Sequence, residues 1–153
     1  MRSREYFESL RYAVVQLTAM EDRIAALDET AKAPKSQGAE PSGGGCPHSQ
    51  PVADRLIDME RDVDEARARL TPELDRATDV LYGRSGRGGV AKECGYASAD
   101  SVCGYYLYGM SWPEVAAELV RPDSKDGAHW CRNRAASAFR HMDNVGMARL
   151  ADS

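Results

Sequence analysis

The sequence predicts an all-α protein in which a long, coiled-coil-like N-terminal helical hairpin is followed by a small C-terminal helix-turn-helix unit. Three observations carry this expectation: two heptad seams in residues 1–82, a Gly-rich break at 83–89, and three short amphipathic segments beyond it. At 153 residues the chain holds one ordinary domain or two small pieces, which excludes barrel enzymes and two-domain dehydrogenases.

The first seam runs Tyr6, Leu10, Ala13, Leu17, Met20, Ile24 and Leu27, with spacings alternating between 4 and 3, which predicts one long amphipathic helix. The second runs Val52, Leu56, Met59, Val63, Ala66 and Leu70, and resumes as Leu74, Ala77 and Leu81 after a stutter near Pro72. Pro72 lacks a backbone donor, so the helix is expected to kink there, the alternative being a restart with Thr71 as its cap. Residues 32–51 are rich in Gly, Pro and Ser without periodicity and read as a flexible linker, long enough to fold the second helix back antiparallel to the first. Two helices bury only one stripe each, so a homodimer through the hairpin is a further expectation.

Residues 83–95 form a Gly-rich basic connector whose glycines break any helix. It lacks the Gly-Lys-Ser/Thr ending of a phosphate-binding loop, so no nucleotide site is read there. Arg84 and Arg87 are candidates for contact with a phosphate backbone, the plainer reading being a hinge.

Residues 96–145 carry the readable chemistry. Ala99, Val102, Cys103 and Tyr106 share one helical face and Gly109 follows as a stop. Ser111-Trp112-Pro113-Glu114 has the capping-box form, in which the Ser hydroxyl and the Glu carboxylate each satisfy an amide left free at a helix start. That helix buries Val115, Ala116 and Leu119 and ends before Pro122. A third helix buries Cys131, Ala135, Ala138 and Met142, while Arg132, Asn133 and Arg140 lie on its other faces. Residues 146–153 read as a tail.

Charge is partitioned along the chain. The net of −4 divides into 11 Lys and Arg against 16 Asp and Glu over residues 1–82, and 9 against 8 over residues 83–153. Between Arg121 and Met142 five cations face two acids, with His129 and His141 alongside. A short helix that holds a cationic one proud of the surface can send side chains into the major groove while flanking cations meet phosphates.

The stretch Asp100–Leu119, with Tyr106-Leu107, Gly109, Ser111-Trp112, Glu114-Val115-Ala116 and Leu119, resembles the pattern of sigma-70 region 4-like domains, and Ala138-Phe139-Arg140-His141-Met142 looks like that family's closing segment. The layout is similar to phage and prophage sigma-like proteins of the ArpU late-transcription type. The resemblance implies a DNA-binding transcription regulator of phage origin, with double-stranded DNA as partner and RNA polymerase as a second candidate partner. The turn Val120–Lys125 is longer than that pattern expects. Lys125, His129, Arg132 and Asn133 are expected toward the groove, and Arg121, Arg134 and Arg140 on phosphates; Asn and Arg are the side chains that read adenine and guanine bidentately. The alternatives are a small-terminase-like DNA-packaging protein and a protein-binding coiled-coil adaptor.

Plainer roles stand beside these. Trp112 is expected to close the small core, Tyr105, Tyr106 and Tyr108 to divide between core and surface, and the acidic run Asp58–Glu65 to be a solvated helix face. Neither His129 with Cys131 nor Cys46-Pro47-His48 offers the two paired ligand sets of structural zinc, so no metal and no cofactor are expected. No nucleophile-base-acid set stands out, so the protein is not expected to be an enzyme. Four scattered cysteines, no apolar leader after Met1 and no apolar window of spanning length point to a reduced, cytoplasmic protein without membrane insertion.

Overall fold

A computed structural model describes residues 1–32, 52–120 and 125–153, with the side chains of residues 31 and 32 left aside. The expected linker 32–51 therefore lies outside the described residues apart from Lys32, and so does Arg121. The protein is all-α, with no strand among the described residues. Its helices are α1 (Ser3–Lys32), α2 (Val52–Tyr82), α3 (Gly89–Cys94), α4 (Tyr96–Val102), α5 (Trp112–Leu119), α6 (Gly127–Val145) and α7 (Met147–Asp152), with a π-helical turn at Cys103–Leu107 extending α4. None of the described helices is long and apolar enough to cross a membrane.

The chain forms two compact units, and the division does not follow the expected boundary at 82. One comprises Gln16–Ala68. There Leu17, Met20, Ile24, Leu56 and Met59 are half-buried, Val63 is buried, and Arg67 pairs with Glu21 at 2.7 Å.

The other unit comprises Met1–Val15 and Arg69–Ser153, so the first turns of α1 belong to the C-terminal core. The seam assigned Tyr6 to the buried stripe, whereas the structure buries Phe7 completely and leaves Tyr6 half-exposed. Phe7 meets Phe139 at 5.6 Å and Tyr106 at 6.2 Å between ring centroids, and those aromatic edges and faces select it over its neighbour. Ser3, Phe7 and Leu10 are buried at spacings of 4 and 3, a stripe offset from the expected one in the first turns.

α2 runs through Pro72 without the restart at Thr71 that the sequence allowed. Pro72 and Ala68, whose carbonyl loses its donor there, are both exposed, so water can serve that carbonyl.

The Gly-rich connector is a packed turn rather than an open hinge. Gly83 and Gly89 hold φ of +74° and +65°, and a Cβ at Gly88 would collide with the Ser153 backbone. Arg84 N–H donates to Ala151 O at 3.1 Å and Gly89 N–H to Ser153 Oγ at 2.7 Å. Residues 146–153, expected as a tail, thus hold α7, whose Leu150 is fully buried.

α5 begins as expected. Glu114 N–H donates to Ser111 Oγ at 3.3 Å, Ser111 N–H donates to the Glu114 carboxylate at 3.1 Å, and Pro113 is tolerated in the first turn. α6 buries Cys131, Ala135, Ala138 and Met142, the expected face, and adds Phe139.

Candidate nucleic-acid interface

α6 is 19 residues long, and its buried stripe leaves the opposite stripe to water. At about 100° per residue, His129, Asn133, Ser137 and Arg140 lie along the middle of that outer face. Arg132 falls on one flank, Trp130 and Arg134 on the other. All of these side chains are exposed, as is Lys125 just ahead of the helix. The structure therefore brings six of the expected residues, Lys125, His129, Arg132, Asn133, Arg134 and Arg140, to α6 or its threshold.

Several are held in place. Asn133 Nδ2 lies 3.1 Å from His129 Nε2, one helical turn away. The Arg134 guanidinium sits over the Trp130 ring at 5.0 Å, and Arg132 lies 5.9 Å from the Trp112 ring centre. Trp112 itself is buried at the start of α5 and closes the core. The three tyrosines divide as expected: Tyr106 is buried, Tyr105 half-buried and Tyr108 exposed.

Arg84 pairs with Asp152 at 3.1 Å, whereas the Arg87 side chain is exposed and its backbone N–H donates to Ser85 Oγ at 3.3 Å, both within the turn that packs on the end of α7.

Two cations not expected from the sequence arrive from the far end of the chain. Ser3 N–H donates to Asp143 Oδ1 at 2.9 Å and Ser3 Oγ to Phe139 O at 3.2 Å, which pins the start of α1 on the second half of α6. Hydrogen bonding from Ser3 holds the Asp143 carboxyl below its ordinary range, with help from Arg2 and Arg4. Arg2, Arg4 and Arg140 consequently line one cleft, together with Glu5, Glu8 and Asp143. Only the burial of Ser3 beside Phe7 could have signalled this, and a buried serine has no sequence signature.

Elsewhere in the unit, Tyr82, Asp100, Cys103, Met110 and Glu118 are among the residues lining a cavity of about 400 Å³ beside the π-helical turn. Tyr82 donates to Asp100, and burial with that bond pushes its hydroxyl well above the ordinary tyrosine range. Burial also pushes the Cys103 thiol up, the direction opposite to an activated nucleophile. Among the described residues no group of His, Cys, Asp and Glu is arranged to hold a metal ion.

No protein-family profile, curated protein or solved structure matches the chain.

Proposed function

We propose that this chain is a duplex-DNA-binding transcription regulator of the sigma-like, phage-derived kind, in which α5 and α6 act as a helix-turn-helix and α6 enters the major groove. One observation carries the reading. Arg132, Arg134 and Arg140 of α6 have no carboxylate within 4.0 Å among the described residues. Solvated, unpaired guanidinium groups are free to displace the counterions of a phosphate backbone. His129 and Asn133 sit between them as base readers and Lys125 leads them, while Arg121, outside the described residues, keeps its expected role on a phosphate.

In this reading the protein acts in the cytoplasm by binding, with no catalytic step and no cofactor. The two long helices form an antiparallel hairpin, a homodimer closes its half-buried seam, and RNA polymerase is the candidate protein partner. The same seam supports a second reading, a small-terminase-like packaging protein whose hairpins assemble a ring. Mass measurement in solution separates the two, because a monomer or dimer disfavours the ring.

Fluorescence anisotropy with random and genomic duplexes tests DNA binding directly. Affinity should fall steeply from low to moderate salt, and replacing Arg132 and Asn133 by Ala should remove selectivity before it removes binding. A chain that binds no duplex even at low salt refutes the proposal.

A further inference from the structure

We infer that Trp130 is a base-contacting residue of the α6 interface, its indole meeting the 5-methyl group of thymine while Arg134 reaches the neighbouring phosphate. The inference rests on the DNA-binding reading of α6.

The inward face of α6 is complete without Trp130: Cys131, Ala135, Ala138, Phe139 and Met142 make the core contacts. Trp130 points away from them, 36% exposed, whereas the chain's other tryptophan, Trp112, is 8% exposed. On the helical wheel it neighbours Asn133 and Ser137 on one side and Arg134 on the other. The guanidinium over its ring orders the indole in the first turns of α6.

The resulting surface is a single broad apolar group set among unpaired cations. A matching partner must be anionic and must also offer apolar contact. The major groove does both, with phosphates along its edges and the thymine methyl as its apolar mark.

The test uses the full chain and one pool of randomised duplexes made either with thymine or with uracil. Wild-type affinity should drop roughly fourfold on uracil duplexes, the effect of burying one methyl group. Trp130→Ala, checked for an unchanged helical circular-dichroism spectrum and melting temperature, should bind the two pools equally. Tryptophan emission should change on adding duplex to the wild type and not to Trp130→Phe, which retains only Trp112. Equal wild-type affinity for both pools with unchanged emission overturns the inference and leaves DNA binding standing. Failure to bind either pool overturns both.

Discussion

Tyr105 lies flat on Trp112, with ring centroids 4.1 Å apart and planes 8° from parallel. The Arg11 guanidinium lies over the Tyr105 ring at 3.7 Å, and that of Arg132 lies 5.9 Å from the Trp112 ring centre. These contacts tie the first turns of α1, the π-helical turn, α5 and α6 together. α5 and α6 are therefore held in part by a residue from the opposite end of the sequence.

Arg11 does more than stack. Its guanidinium donates to Tyr105 O in the π-helical turn, and to Met110 O in the loop before α5 at 2.9 Å, serving two carbonyls at once. Arg11→Met keeps much of the side-chain volume and removes these charge-assisted bonds. A loss of about 1.5–3 kcal/mol in urea-unfolding stability is expected. An unchanged midpoint would show that water serves those carbonyls equally well.

Phe7→Ala should cost more, about 3–5 kcal/mol, because it empties a fully buried site between Phe139 and Tyr106. Tyr6→Ala at the adjacent, half-exposed position should cost distinctly less. Equal losses for the two variants would restore the seam expected from the heptad pattern.

The contrast between those residues marks what the sequence could convey. The inward face of α6 was legible because Cys131, Ala135, Ala138 and Met142 repeat at helical spacing within one segment. The capping box at Ser111 is likewise local. Phe7 was not legible: Tyr6 and Phe7 are both aromatic, and the choice is made by Phe139, far along the chain. Gly88 posed the same problem, since a glycine that breaks a helix and one that admits the backbone of Ser153 look identical in sequence. The cationic outer face of α6 could be read from its own residues, but Arg2 and Arg4 reach it only through the docking of α1.

Ser111→Ala removes the acceptor for Glu114 N–H and unmakes half of the capping box. Stability should fall by about 1 kcal/mol. Hydrogen exchange at the first amides of α5 is the sharper measurement, and protection equal to the wild type would count against the cap.

Glu93 bonds to His141, linking α3 to α6, and that bond holds the Glu93 carboxyl below its ordinary value. A carboxylate with a lowered folded-state pKa contributes stability that is present above its unfolded value and lost as pH falls through the folded one. Asp143 is shifted the same way by Ser3. The melting temperature should therefore fall on acidification below about pH 4, where unfolded carboxylates titrate. Glu93→Gln should have a shallower acid limb than the wild type, and superimposable profiles would remove the Glu93–His141 bond from the account.

Cations on the outer face of α6 should each leave a signature in salt dependence. If Arg134 and Arg140 meet phosphates, replacing either by Ala lowers the slope of log affinity against log salt by about 0.9, and replacing both lowers it by about twice that. Arg84 provides the contrast, because it is paired to Asp152 in a turn built on the end of α7. Arg84→Ala should leave the slope unchanged. Equal reductions for Arg84 and Arg140 would mean that the field of the whole domain, rather than the α6 face, holds the duplex.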